Sequence, residues 1–146
     1  MSPSLIWWLS CQAYRSKLVP LARILKAINF VIFHTVLPYQ AEIKRDINLK
    51  HYALGIVIHP NVEIGDRVTI HQHVTLAAET WIGSPYKIII GDDVMIGAGA
   101  VIIGRGDRTL VIGNGVKIGA NAVVTRDVPS GETVVGVPAR PLLAKV

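Results

Sequence analysis

An aliphatic repeat of six residues runs through the last two thirds of the chain. Eight clear copies begin with Ile or Val, carry Val or Ala at the fifth position, and have Gly at the second position in five cases. The copies start at Ile58, Ile64, Ile70, Ile90, Ile96, Ile112, Ile118 and Val124. Two inward positions per six residues describe a short strand followed by a corner, and one such coil cannot bury its apolar side alone. The period therefore predicts an all-β solenoid whose strands stack in parallel around an aliphatic core.

Corners and insertions shape the wall of this predicted solenoid. We expect the second-position glycines to supply corner backbone angles that a side chain would resist. Eight extra residues fall between Leu76 and Ile90, and four fall between Ile102 and Ile112. Loops that leave a rigid scaffold often carry function, so both insertions are candidate parts of a site. The alternative interpretation of each is a tolerated surface insertion.

Charge and cysteine content narrow the function classes. The 146 residues carry a formal net charge of +5 and one cysteine, Cys11. Residues 1–50 hold seven basic residues against two acidic ones, whereas residues 51–146 hold eight of each sign. Because the main domain is neutral, nucleic acid is not expected as a partner. A single cysteine forms no internal disulfide, which suits a reducing, cytoplasmic location.

Residues 1–36 are predicted to form a helical segment. Apolar residues recur at close to helical spacing over residues 18–32, and Pro20 marks a break or a first turn. No apolar run reaches the ~20 residues that span a bilayer. The segment packs on the solenoid or on a neighbouring subunit, or it lies as an amphipathic helix on an anionic membrane. Trp7, Trp8 and four basic residues favour the second alternative, a peripheral membrane contact.

Three later segments resemble one family of enzymes. The unit at residues 49–57 exceeds a hexad by three residues and reads Leu-Lys-His-Tyr-Ala-Leu-Gly-Ile-Val. This unit, Val-Met-Ile-Gly-Ala-Gly-Ala at residues 94–100 and Gly-Val-Pro-Ala-Arg at residues 136–140 are similar to serine O-acetyltransferases of the hexapeptide-repeat acyltransferases. The resemblance covers residues 37–142 and leaves residues 143–146 as a short tail. It implies a left-handed parallel β-helix and a homotrimer with active sites between subunits.

The resemblance implies acetyl transfer from acetyl-CoA to the hydroxyl of L-serine, with His51 as the general base. A hydroxyl is a poor nucleophile near neutral pH, so a base must take its proton as it attacks the thioester, and imidazole suits this task. The oxyanion that forms then needs backbone N–H donors, which solenoid corners can present. Counted from its other end, the motif puts Tyr52 in the place of the histidine. A loop histidine without a role is the alternative interpretation of His51.

The same resemblance places the CoA site. The pantetheine arm is expected to lie along the solenoid near Ala98 and Gly99 and near Gly119 and Ala120, and Lys117 matches a basic position of the family. Further candidates for the CoA phosphates, by charge alone, are Arg105, Arg108, Arg126 and Arg140.

Two lysines depart from the family pattern. Lys50 stands where the family has an aspartate directly before the histidine, and Lys87 stands where it has a second active-site histidine. Ala77 and Ala78 replace two glycines at the start of the long loop. We expect Lys50, Lys87 and His73 to contact the acceptor, which the two lysines would suit if it were anionic or a sugar.

A second group of histidines occupies outward positions of the repeat. His59, His71 and His73 stand at the second or fourth place of their hexads. Their spacing does not match the zinc ligands of the γ-class carbonic anhydrases, which also fold as such solenoids, so no metal is expected. Contact with the acceptor across a trimer interface and a solvated surface position are the two remaining interpretations.

Two other functions compete with serine acetylation. The first is O-acetylation of a sugar or of a cell-surface polysaccharide precursor, and the second is a non-catalytic solenoid module. Docking to cysteine synthase is not expected, because only six residues follow Arg140.

Overall fold

The computed structural model describes residues 1–143 and shows two helices followed by a β-solenoid. Helix α1 spans Pro3–Arg15 and helix α2 spans Val19–Phe33. The side chain of Ser2 caps α1, and each helix has a proline in its first turn. Proline fits there because the first N–H groups of a helix have no partner within it. The predicted helical segment is thus confirmed as two helices, with Pro20 at the start of the second.

Short strands form the solenoid that the repeat predicts. Within the described residues they are, in chain order, β1 Asn48–Leu49, β2 Val57–Ile58, β3 Val62–Ile64, β4 Thr69–Ile70, β5 Thr75–Ala78, β6 Ile88–Ile90, β7 Met95–Ile96, β8 Val101–Gly104, β9 Leu110–Ile112, β10 Lys117–Ile118, β11 Val123–Val124, β12 Thr133–Val135 and β13 Arg140–Pro141.

The strands form three walls. The first sheet runs β1, β4, β7, β10 and β12 in parallel and ends in the antiparallel β13. The second sheet runs β2, β5, β8 and β11, and the third runs β3, β6 and β9, all in parallel. Successive coils place their strands one above another in the walls, which gives a solenoid of about four turns.

The core is the aliphatic ladder that the hexads predict. All first-position and all fifth-position residues of the eight hexads are buried. Buried residues of the earlier coils continue the ladder towards the helices: Leu37, Ala41, Ile43, Ile47, Ala53 and Ile56. Trp7 of α1 is fully buried in the same cluster and donates its indole N–H to Pro38 O at 2.8 Å. This contact docks α1 on the first coil.

Each coil has three corners, which we name by their content. The histidine corner, where the chain passes from the first sheet to the second, comprises residues 50–56, 71–74, 97–100 and 119–122. The acidic corner, from the third sheet to the first, comprises residues 65–68, 91–94, 113–116 and 129–132. The loop corner, from the second sheet to the third, comprises residues 59–61, 79–87, 105–109 and 125–127.

The corner glycines have a different role from the one that the sequence suggests. Positive φ falls on the fourth position of the hexads, as at His73 (58°) and Gly99 (71°). None of the five second-position glycines, all of which are described, has a positive φ. A Cβ on Gly97 would instead lie 2.6 Å from the backbone nitrogen of Ala120 in the next coil. The expectation about backbone angles is therefore wrong, because second-position Gly permits close coil stacking.

The strand register confirms both insertions. Along the second sheet, strand partners are separated by 18, 26 and 22 residues, from Val57 to Thr75, then to Val101 and then to Val123. The two longer separations exceed 18 by the eight and four residues that interrupt the repeat. Both insertions emerge at the loop corner, so the other two corners stay regular.

The longer loop, residues 79–87, is tied to the solenoid by one asparagine. Asn61 is nearly buried, donates its amide N–H to Trp81 O at 2.8 Å and accepts from Gly83 N at 2.9 Å. The loop tip nevertheless exposes apolar surface, since Trp81 is 66% exposed and Ile82 is 59% exposed.

The outer face of α2 is apolar and uncovered in the single chain. Of its fifteen residues only Ala22 and Asn29 are buried. Its exposed apolar residues fall at helical spacing and include Leu21, Ile24, Ile28, Val31 and Ile32. Within residues 1–143, neither helix combines the length and the apolar character that crossing a membrane requires.

Neighbouring isoleucines of β6 test the solenoid core. Ile90 is 1% exposed in the aliphatic ladder, whereas Ile89 points outwards and is only partly buried. We expect Ile90→Ala to lower the free energy of unfolding by about 2–5 kcal/mol, because it leaves a cavity in the ladder. The matched control Ile89→Ala should lower the free energy of unfolding by less than half that amount. Urea titration followed by circular dichroism measures both, and equal losses would contradict the inward position of Ile90.

Candidate active site

The long unit after β1 forms a strained left-handed turn at the histidine corner. His51, Tyr52 and Ala53 have φ values of 49°, 55° and 62°. Each L-residue in this region costs roughly 1–2 kcal/mol, so three in succession need support from their surroundings. Within the turn, Lys50 O accepts from Ala53 N at 2.9 Å and His51 O accepts from Leu54 N at 3.2 Å. Strain held in this way is often found at functional sites.

The end of α2 supports the turn from one side. Gly55 N donates to His34 O at 3.1 Å, and Thr35 Oγ1 donates to Ile56 O at 2.8 Å. The ring of Tyr52 stacks on Phe33 with a centroid separation of 6.4 Å. These contacts fix the backbone of the turn while leaving the side chain of His51 exposed to solvent.

Two more histidines, on the next coil, contact the turn that carries His51. The rings of His51 and His71 have centroids 6.2 Å apart. His73 N donates to Leu54 O at 2.8 Å, and the His73 ring occupies the space where a Cβ on Gly55 would stand. The described residues contain no group of three or more histidine, cysteine or acidic side chains arranged to hold a metal ion. The imidazoles of His51 and His71 are suited to proton transfer or to contact with a substrate.

Three backbone N–H groups at the histidine corner donate no hydrogen bond within residues 1–143. At the acidic corner the third-position N–H of one coil donates to a side chain of the next, as Asp66 N does to Asp92 Oδ1 and Asp92 N to Asn114 Oδ1, both at 2.8 Å. At the histidine corner the third positions are Gln72, Ala98 and Ala120, and the alanine side chain has no hydrogen-bond acceptor.

We call the N–H groups of Gln72, Ala98 and Ala120 the donor ladder. Among residues 1–143 none of the three donates a hydrogen bond. Consecutive rungs are one coil apart, a spacing of about 4.8 Å. A ligand with carbonyl oxygens could therefore bind along this corner, below the turn that carries His51.

The predicted CoA residues lie along this ladder. Ala98 and Gly99 form one corner and Gly119 and Ala120 form the next, both on the same edge of the solenoid as His51. Lys117 is exposed on β10 of the first sheet, two residues before that second corner. The fold thus brings the predicted base and the predicted CoA residues to one edge, although 47 positions separate His51 from Ala98.

Lys87 lies at the loop corner and is paired within the chain. Its Nζ lies 2.9 Å from Glu42 Oε1 and 3.5 Å from Glu63 Oε2. The hydrogen bond from Lys87 holds the pKa of Glu42 below its ordinary value, and the hydrogen bond to Glu42 raises the pKa of Lys87. Its predicted contact with the acceptor stays a prediction.

Lys50 differs, because its ammonium group is in none of the ion pairs formed within the described part of the chain. It is exposed and directly precedes His51. Its predicted contact with the acceptor is also untested, but its charge is available to a ligand.

The other histidine of the second group lies elsewhere. His59 is at the loop corner, where its Nδ1 accepts a hydrogen bond from Asn61 N at 3.0 Å. The predicted cluster of three histidines is therefore divided. His71 and His73 lie at the histidine corner with His51, whereas His59 lies at the loop corner. The hexads cannot show the proximity of His71 to His51, because it depends on how the long unit of residues 49–57 places its turn above the next coil.

Comparisons with known proteins identify the family. No family model matches the chain. The serine acetyltransferase of Bacillus pumilus is 38% identical over 127 residues, which are 87% of this chain and 56% of that protein. The structure of Neisseria gonorrhoeae serine acetyltransferase in complex with serine matches with a TM-score of 0.82 and 34% identity, over 93% of this chain and 54% of that one. The structure of serine acetyltransferase from Brucella abortus in complex with coenzyme A matches with a TM-score of 0.84 and 31% identity, over 94% of this chain and 53% of that one.

The solenoid and these matches define the fold of the hexapeptide-repeat acyltransferases, a left-handed parallel β-helix, as the resemblance implies. The chain belongs to the serine acetyltransferase family. It spans about half the length of the relatives that it matches.

The Lys87 ion pairs predict a pH-dependent contribution to stability. Because the folded pKa of Glu42 is lowered, the stabilisation is present above the unfolded carboxylate pKa and is lost as pH falls through the folded value. The side chains are 36–53% exposed, so we expect Lys87→Met to cost at most about 1 kcal/mol at pH 7.

The difference in free energy of unfolding between wild type and Lys87→Met should shrink towards zero below about pH 4. Lys50→Met is the matched control, and its difference from wild type should not follow this trend. Urea titrations at pH 3.5, 5 and 7 measure both variants. A Lys87→Met difference that stays constant over this range would contradict the assigned ion pairs.

Proposed function

We propose that this protein is an acetyl-CoA-dependent O-acetyltransferase that acetylates the hydroxyl of L-serine. The observation that carries the proposal is the position of His51 on the same solenoid edge as the donor ladder, in a chain that belongs to the serine acetyltransferase family. The relatives solved with serine and with coenzyme A support the acceptor and the donor.

The reaction needs one proton transfer and one exchange of bonds. His51 takes the hydroxyl proton as the acceptor oxygen attacks the thioester carbon. The new C–O bond forms, the carbonyl oxygen becomes an oxyanion, and the C–S bond then breaks. His51 returns the proton to the leaving thiolate, so that the products are the O-acetyl ester and CoA. General-base catalysis of this kind contributes about 10²–10⁴-fold.

The backbone N–H groups of the donor ladder would hold acetyl-CoA. The N–H of Gln72 lies one coil from the His51 turn and would stabilise the oxyanion, and fixed donors of this type cost no reorganisation during the reaction. The N–H groups of Ala98 and Ala120 would donate hydrogen bonds to the amide carbonyl oxygens of the pantetheine arm. Gly99 and Gly119 have no side chain, so they leave room along this edge for the pantetheine arm. Lys117 would contribute a positive charge for a CoA phosphate.

A homotrimer is the assembly that we propose, with each histidine corner covered by a neighbouring subunit. Two features support it: the histidine corner is open in the single chain, and the loop tip at Trp81 and Ile82 exposes apolar surface that a neighbour could cover.

A sugar hydroxyl is the second candidate acceptor, and it is favoured by Lys50 in place of the family aspartate. The cytoplasmic location, expected from the single cysteine, stays a prediction.

The activity test is release of CoA thiol from acetyl-CoA in the presence of L-serine. We expect wild type to release thiol and His51→Ala to lose about 10²–10⁴-fold in kcat/KM, because the base is gone. His59→Asn is the matched control: it removes a histidine outside the corner and keeps an acceptor for Asn61 N. No serine-dependent release by wild type would contradict serine acetylation, and a fully active His51→Ala would contradict the role of His51.

We also propose that the outer face of α2 contacts an anionic membrane surface. Residues 1–41 contain four Lys and Arg residues and no acidic residue, and the exposed face of α2 is apolar. Apolar surface flanked by cations is typical of helices that lie in a membrane interface.

Vesicle sedimentation tests this contact. The protein should sediment with phosphatidylglycerol vesicles and much less with phosphatidylcholine vesicles, and Ile24→Glu/Ile28→Glu should abolish the binding. Val111→Glu, at another exposed apolar residue, should bind as wild type does. Equal recovery of wild type and the double variant from anionic vesicles would contradict the proposal. The proposal would also be contradicted if wild type bound no vesicles and the double variant instead lost a concentration-dependent oligomer, because the face of α2 would then contact another subunit.

A further inference from the structure

The turn that carries His51 has an aromatic side chain at a strained position. Tyr52 has a φ of 55° and lies between two further left-handed residues, His51 and Ala53. It is 76% exposed, whereas Ala53 is fully buried in the core. The left-handed region is unfavourable for a large side chain, so a contact of the Tyr52 ring has to help to offset the strain.

The ring of Tyr52 is anchored on the last residue of α2. It stacks on the Phe33 ring with a centroid separation of 6.4 Å and an angle of 9° between the ring planes. Stacking of offset rings at such a separation is favourable beyond the apolar area that it buries. Because Tyr52 directly follows His51, this contact restricts the peptide unit that joins the two residues. It therefore restricts the direction in which the His51 side chain leaves the main chain.

Other contacts hold the two ends and the inner side of the turn. At its start Lys50 N donates to Ile70 O at 2.9 Å, and at its end Thr35 Oγ1 donates to Ile56 O at 2.8 Å. The buried Ala53 fixes the inner side in the core. The stack on Phe33 adds an attachment on the helix side, directly after the residue that carries the imidazole.

Two other roles for Tyr52 can be separated from anchoring. Its hydroxyl could take part in proton transfer, which needs the phenol oxygen and not the stack. Its ring could stabilise the fold alone, in which case its loss would lower the free energy of unfolding without a specific effect on turnover. Anchoring differs from both roles, because it needs the ring, Phe33 and His51 together.

We infer that Tyr52, anchored on Phe33, is a positioning residue for the acetyl transfer. It holds the turn so that the His51 imidazole faces the acceptor hydroxyl, and it acts through His51 and not on the substrate. The end of α2 is then part of the structure that orients the base. The inference rests on the proposed function, because it takes His51 as the base of that reaction.

Three single variants test the inference by acetyl transfer to L-serine. Tyr52→Leu and Phe33→Leu each remove the stack and keep an apolar side chain. We expect both to lower kcat at least about ten-fold, because a displacement of ~1 Å at a reacting group can cost about 10²-fold. The KM for acetyl-CoA should not change, since the N–H groups proposed to bind it lie on other coils. Tyr52→Phe keeps the ring and should rescue kcat.

A double variant tests whether Tyr52 acts through His51. If it does, adding Tyr52→Leu to His51→Ala should cause no further loss in kcat, because residues that act as a unit have non-additive effects. A role in stability alone would lower the activity of wild type and of His51→Ala by the same factor.

Tyr14→Leu is the matched control. Tyr14 and Tyr39 form another aromatic pair between a helix and the first coil, with ring centroids 5.1 Å apart, outside the histidine corner. This variant should keep the wild-type kcat. Urea titration of each variant gives its free energy of unfolding, so that a change in kcat can be separated from a change in stability.

The inference would be overturned, with the acetyltransferase function left standing, by wild-type kcat in either leucine variant of the stack. A Tyr52→Phe variant as slow as Tyr52→Leu, an equal loss in Tyr14→Leu, or a further loss in the double variant would also overturn it. No serine-dependent thiol release by wild type would overturn the proposed function and the inference together. Loss of kcat in both stack variants, rescue by Tyr52→Phe and no further loss in the double variant would support the inference.

Discussion

The close stacking of successive coils is the constraint on which the rest of this structure depends. Strand-to-strand hydrogen bonding sets a separation of about 4.8 Å, and the aliphatic ladder fills the narrow space inside the three walls. At Gly97 the next coil comes so near that any side chain would meet its backbone. Glycine at this position therefore permits the stacking, and the stacking in turn decides which side chains and backbone groups meet at each corner.

The third hexad position converts this scaffold into two different surfaces. At the acidic corner Asp92 and Asn114 cap the N–H of the coil before, so that edge is internally satisfied. At the histidine corner Ala98 and Ala120 cannot do so, and a row of backbone donors is left for a ligand. The difference between a closed edge and a binding edge thus depends on a few small side chains, with no change in the path of the main chain.

The sequence predicts the fold well because the period is a local property. The inward residues such as Ile90 and the two insertions follow directly from it, and the helical segment follows from a second local pattern, apolar residues at helical spacing. All three agree with the structure. The role of the second-position glycines was not predictable in this way, since periodicity contains no information on the distance between coils.

The site was predictable only in part, for related reasons. The residue motif indicates His51, and the structure places the predicted CoA residues on its edge. The position of His71 beside His51 and the partners of Lys87, which lie 45 and 24 residues away in the chain, depend on register between coils. The donor ladder could have been found by comparing third positions, because Asp, Asp, Asn and Ser alternate in the chain with Gln, Ala and Ala.

We propose that acetyl transfer takes place at the histidine corner, and an experimental structure of the protein with CoA bound would test this. We expect the pantetheine amide oxygens to accept hydrogen bonds from the N–H groups of Ala98 and Ala120, with the thiol sulfur beside the His51 imidazole. A CoA molecule bound at the loop corner, between Arg105 and Arg126, with its sulfur away from His51, would contradict it.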